Sequence, residues 1–176
     1  MPALDQGARS RRCYPQMREA ACGHAEASMQ IEAAPLATYG LVADVTRMGE
    51  YSPECFRCLW LDGDGPRVGA RFRGTNKFGV VRWSRVCEVV AAEPGRELAF
   101  RTLPLFPYAD STTWRYTFQP ADAGTWVTES YEITKLPRWM QLVEVISGRP
   151  KLLPQAMHRT LGRIKAAAER TLAPGG

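Results

Sequence analysis

The stretch S-T-T-W-R-Y-T-F-Q-P-A-D-A-G-T-W-V-T-E-S-Y-E-I-T-K, residues 111–135, decides the fold. In residues 111–119, Trp114, Tyr116 and Phe118 alternate with Thr113, Arg115 and Thr117, the period of two that a strand with one buried face requires. Residues 124–135 repeat the pattern, with Val127, Tyr131 and Ile133 on the apolar side. The link Pro120-Ala-Asp-Ala-Gly124 is too short for a crossover helix, so the two strands are antiparallel neighbours.

The same reading extends upstream. From Ala25, the residues Ala27, Met29 and Ile31 alternate with polar positions, which predicts a first strand. Pro35 suits the first position of a helix through Leu36, Tyr39 and Val42. Asp44 caps a second short helix, Val45 to Met48, which Gly49 is expected to stop. Strands follow at residues 55–61, 70–76, 80–91 and 97–103, separated by Gly- and Pro-bearing turns.

Beyond residue 135 the period lengthens. Trp139, Leu142, Val143 and Ile146 form a helical stripe, and Leu153, Met157, Leu161, Ile164 and Ala168 form another, with Gly148 and Pro150 between them. One strand, two short helices, about six strands and a long helix make an α+β domain. Its seven-stranded curved antiparallel sheet wraps around the long C-terminal helix and leaves an apolar hollow between them.

Composition sets the bounds. The 176 residues fit one domain with a substantial core, 45% hydrophobic and 23% charged. Residues 1–24 lack periodicity and read as a loosely attached leader, 25–172 as the domain and 173–176 as a flexible tail. No apolar run reaches the ~20 residues that cross a bilayer, and no h-region follows Arg9, Arg11 and Arg12, so a cytoplasmic protein without integral membrane association is expected. The charge of +5 comes mostly from 19 arginines, but they are scattered, which argues against nucleic-acid binding. A monomer or weak homodimer is the expected state.

Strand parity names the residues that would line the hollow. Phe72, Trp83, Phe100, Trp114, Tyr116, Phe118 and Tyr131 point inward from the sheet, and Ile146, Met157 and Leu161 from the helices. The same parity carries Asn76, Arg85 and Glu129 inward. A charge there must be paired, or must orient a ligand, so these three are candidate polar anchors. The break at residues 148–150, with the loop 103–108, is the candidate gate, because irregular segments open more readily than a sheet.

Catalytic and metal signals are sparse. Five widely spread cysteines do not form a disulfide framework. Cys55-Phe-Arg-Cys58 is formally a C-x-x-C, but positions three apart on a strand face opposite ways, so the two thiols are not expected to act together. Cys13, Cys22 and His24 have no specific metal spacing, and His158 sits at the edge of the last apolar stripe, where a rim position is expected. No nucleophile–base pair, phosphate loop or dinucleotide fingerprint is present, so no catalytic residue, cofactor or metal is assigned.

Several short stretches carry a family resemblance: Ile31-Glu-Ala-Ala-Pro35, Asp44-Val-Thr-Arg-Met-Gly-Glu50, Ser52-Pro-Glu-Cys55, Val68-Gly-Ala-Arg-Phe72, Glu93-Pro-Gly-Arg96, Gly124-Thr125 and Leu161-Gly-Arg-Ile-Lys165. With these, residues 29–172 resemble the START-like (SRPBCC) superfamily, and within it the polyketide cyclase/dehydrase and lipid-transport group common in bacteria. The resemblance implies a helix-grip fold and a hydrophobic small-molecule partner, lipid- or polyketide-like. It also implies two alternatives, a polyketide cyclase or aromatase, or a toxin or regulatory interaction protein on the same fold. The motifs mark turns and packing, so none assigns a catalytic residue.

Overall fold

The computed structural model describes residues 23–105 and 109–172; the leader up to residue 22, the tail 173–176 and residues 106–108 of the candidate gate lie outside this range. Strands β1 (His24–Ile31), β2 (Cys55–Trp60), β3 (Arg71–Phe78), β4 (Val81–Glu93), β5 (Glu97–Thr102), β6 (Ser111–Ala121) and β7 (Gly124–Lys135) form one antiparallel sheet in the order β1-β7-β6-β5-β4-β3-β2. Helix α1 (Pro35–Ala43), a single 3-10 turn (Val45–Arg47) and helix α2 (Met48–Tyr51) follow β1, while α3 (Arg138–Ser147) and α4 (Arg149–Leu172) close the chain. This is the expected α+β helix-grip arrangement.

Local chemistry accounts for the turns. Asp44 accepts a hydrogen bond from the Thr46 backbone N–H at 3.2 Å, which starts the 3-10 turn. Gly49 does not end the second short helix as expected; it lies inside α2, where a side chain would collide with the Phe56 carbonyl, its Cβ 2.5 Å from that oxygen. The strands on either side of residue 79 run longer than the alternation alone implied, so that hairpin is tight. Gly124, at φ 105°, turns β6 into β7 where any Cβ would collide with the Ile31 carbonyl.

One continuous core joins the inner face of the sheet to the helices. Helix α4 runs along β1 and touches β7, burying Leu153, Met157, Leu161, Ile164 and Ala168, the stripe read from the sequence. Helix α1 covers β5 to β7, with Tyr39 edge-on to Phe118 at 5.6 Å. On the outer face, charged cross-strand pairs such as Arg101–Glu88 and Arg115–Glu97 lie against solvent.

Candidate ligand site

The strand register places the predicted inward residues in rows. Val89, Phe100, Trp114, Tyr131 and Ala25 lie side by side across five strands, and the next row holds Leu98, Tyr116, Glu129 and Ala27. On the other half of the sheet Cys55, Asn76 and Trp83 share a row, beside Cys58, Gly74 and Arg85. Phe72 is buried between Trp60 and Phe100, with ring centroids at 5.6 and 5.1 Å. Trp114 lies 5.3 Å from Tyr131.

Burial divides these residues into two groups. Tyr116, Phe118, Tyr131, Met157 and Leu161 are fully enclosed and belong to the packed core. Asn76, Trp83, Phe100 and Trp114 point from the inner face yet keep part of their surface open. Ile146 does not join them: it is 77% exposed, as are much of Trp139 and Leu142 on the same helix. A helical stripe defines a face but not the direction in which that face points, and on α3 it points outward. His158 is exposed, as a rim position requires.

The three polar anchors have different surroundings. Arg85 is buried; its Nη1 donates to Asp110 Oδ1 at 2.5 Å, and its Nη2 donates to the carbonyls of Asp110 and Leu103 at 3.0 and 3.3 Å. This guanidinium is an interior tie between β4 and the chain on both sides of the 103–110 loop. The inward parity of Arg85 was legible; Asp110 was missed, because a loop residue 25 positions away has no periodic signature. Asn76 is half-buried beside Gly74 and Cys55.

Glu129 is 4% exposed and accepts a 2.7 Å hydrogen bond from the Tyr116 hydroxyl on its Oε1. Its Oε2 is buried with no hydrogen-bond partner among the described residues. Burial pushes its pKa up to about 8, against the smaller opposing effect of the tyrosine, so the carboxyl holds a proton near neutrality. Tyr116 is pushed well above its usual range by burial first and by Glu129 second.

At the candidate gate, Gly148 takes φ 66° and separates α3 from α4. Arg149, the first residue of α4, donates from Nε and Nη2 to the Glu54 carboxylate at 2.8–3.2 Å and lies over the Trp83 ring at 5.6 Å. Pro154 lacks the N–H that would reach the carbonyl of residue 150, so the start of α4 is one backbone hydrogen bond short and the side-chain clasp adds to its hold. A cleft of about 380 Å³ runs beside the clasp, between Lys77–Gly79 at the end of β3 and Leu152 and Ala156 on α4. The sequence reading missed this clasp too, since its partners lie 95 residues apart.

One expectation is overturned outright. Cys55 and Cys58 do not face opposite ways: the β2–β3 register shifts between Cys55 and Arg57, and the two sulfurs meet at 3.3 Å. A bulge adds a residue and so reverses the parity that a regular strand would impose.

With the geometry in view, similarity to known proteins is informative. The family described as polyketide cyclase / dehydrase and lipid transport matches residues 23–169. The di-domain ARO/CYC StfQ from the steffimycin biosynthetic pathway superposes with a TM-score of 0.68 at 17% identity, covering 86% of this chain and 52% of that one. TTHA0849 from Thermus thermophilus gives 0.65 at 18% identity over 87% and 99% of the two chains. Protein MLL2253 from Mesorhizobium loti gives 0.62 at 17% over 84% and 98%. At such identities the likeness is one of fold. No curated protein matches the sequence.

Proposed function

Since the chain belongs to the polyketide cyclase/dehydrase and lipid-transport family, we propose that it binds or carries a hydrophobic small molecule, lipid- or polyketide-like, between the sheet and α4. The observation that carries this reading is the carboxyl of Glu129. One of its oxygens is buried with no hydrogen-bond partner among the described residues, and one row along the sheet lie the half-covered rings of Phe100 and Trp114. An apolar wall around a single unsatisfied polar atom is what a pocket uses to hold and orient a greasy guest. Arg85 is occupied by Asp110 and supports the wall, so Glu129 and Asn76 remain as anchors. The Arg149 clasp at the start of α4 forms the gate.

Native mass spectrometry of freshly purified protein tests this reading. A small molecule retained under gentle ionisation, and replaced by added long-chain fatty acid, is the expected result. Unliganded protein that also fails to bind a hydrophobic fluorophore saturably would remove the proposal.

A second reading has its own support. A protonated carboxyl hydrogen-bonded to a tyrosine can move a proton to or from a bound polyketone, so the Tyr116–Glu129 pair suits a cyclase or aromatase. Turnover of a poly-β-ketone thioester that disappears in Glu129→Gln, with ligand retention unchanged, would favour catalysis over carriage.

A further inference from the structure

The Cys55/Cys58 contact plays no part in the ligand site described above. Along β2, Cys55 stands opposite Asn76, Arg57 opposite Thr75 and Cys58 opposite Gly74, so Phe56 is the extra residue of a bulge. The bulge turns both thiols to the inner face. A side chain built on Gly74 would start 3.7 Å from each sulfur, which locates the two on either side of one glycine.

Neighbouring residues hold this geometry. Ser52 Oγ accepts hydrogen bonds from the backbone N–H groups of Glu54 and Cys55 at 3.2 and 2.9 Å, fixing the entry into β2. The Phe56 carbonyl packs against Gly49 of α2 so closely that only glycine fits there. The bulge is therefore built into the join between α2 and the sheet.

The two thiols differ. Cys55 is part-exposed, and the hydrogen bond from Cys58 holds its pKa below the usual thiol range. Cys58 is 3% exposed and is pushed up by that same hydrogen bond and by burial. One sulfur is thus reachable and more readily ionised, and the other is in contact behind it. Among the described residues, no set of three or more Cys, His, Asp and Glu side chains converges as metal ligands.

We propose that Cys55 and Cys58 form a redox-active dithiol that is reversibly oxidised to an intrastrand disulfide by a small organic disulfide. The Cys55 thiolate attacks one sulfur of R–S–S–R; the S–S bond breaks, and RS⁻ leaves and takes up the proton lost by Cys55. Cys58 then gives up its proton and attacks the Cys55 sulfur of the mixed disulfide, expelling the second RS⁻, which takes that proton. The protein dithiol loses two electrons, and the small disulfide becomes two thiols. A modest approach of two sulfurs already in contact completes the bond, which is roughly 2.0 Å long.

The sequence supplies its own assay. Trypsin cuts after Arg57, between the two cysteines, so reduced protein gives separate peptides 48–57 and 58–67. Full-length protein is equilibrated with oxidised and reduced glutathione, trapped by alkylation and digested. The expected product is a single linked 48–57/58–67 species that dithiothreitol reverses. It should form at least about ten-fold faster in folded protein than in urea, as expected when a fold pre-positions the reacting atoms. Cys58→Ser should leave a glutathione adduct on Cys55 and no linked species. Gly49→Ala, which displaces the bulge, should slow linkage while the far-ultraviolet spectrum stays native. Adducts on Cys55 without linkage in the unaltered protein, linkage to another cysteine, or equal rates folded and unfolded would each overturn the proposal.

Discussion

The two ends of the sheet are built differently. At the β1–β7–β6 end, β1 pairs with β7 through eight uninterrupted positions, and Ile31, Val127 and Phe118 meet Leu161 and Ile164 in a sealed core. At the β2–β3–β4 end the register breaks at Phe56, and the inner face carries Cys55, Asn76, Trp83 and Arg85, three of them only half-covered. The first end gains its stability from apolar area, and the second from a few directional polar contacts. Packing and directional polar contacts are thus separated along one sheet.

The contrast is tested most severely at Arg85. Arg85→Met keeps the length of the side chain but leaves the Asp110 carboxylate buried and unpaired, and removes two donors to backbone carbonyls. A loss of about 4 kcal/mol in urea unfolding is expected, because breaking one partner of a buried pair strands the other. A double variant, Arg85→Met with Asp110→Leu, should recover much of that loss. Without recovery, the polar end would not be held by this tie.

At the sealed end, Leu161→Ala removes a side chain with no exposed surface from the centre of α4. The expected cost is about 3 kcal/mol, from lost burial and an unfilled cavity. An unchanged affinity for a hydrophobic fluorophore would place the guest toward the β2–β3–β4 half of the sheet, whereas a large change would place it against the centre of α4.

Glu129 lies on β7, within the sealed end between Ala27 and Tyr116, and pH separates its contribution. Its pKa is raised from an ordinary carboxylate value to about 8 in the folded chain. Below about pH 4.5 both states hold the proton and the group costs nothing. As pH rises, the unfolded chain ionises first while the folded chain keeps its proton, so stability falls through the window up to about pH 8 and then levels off. In Glu129→Gln that component should vanish, so the difference between the two proteins should grow with pH. Parallel pH curves would mean that the carboxyl is solvated in solution.

How far this division was legible follows from the same physics. Alternation at Trp114, Tyr116 and Phe118 fixed both the strand and its inner face, because a period of two leaves only one consistent assignment. Glu129 and Arg85 came with that parity. Cys55 and Cys58 were misassigned because a bulge reverses parity, and its cause, the tight packing of Phe56 on Gly49, is a tertiary contact. Ile146 was misplaced for a related reason: periodicity on α3 gives a stripe, while its direction depends on where the chain leaves β7. Asp110 and Glu54 had no local signal, since each acquires its role from a residue far along the chain.

The smallest effect on stability is expected at the clasp, where the consequence for function is the most specific. Arg149 and Glu54 keep 22% and 15% of their side-chain surface, so water already screens part of their attraction. Arg149→Met should therefore cost only about 1 kcal/mol. It also frees Trp83 from the guanidinium above it and leaves the start of α4, already short of one backbone donor at Pro154, without its tether. Stopped-flow release of a bound fluorophore should then quicken about ten-fold while equilibrium stability barely moves, as expected of a locally opening segment. Release that stays unchanged would place the entrance elsewhere and leave Arg149 as a structural tie at the mouth of the polar end.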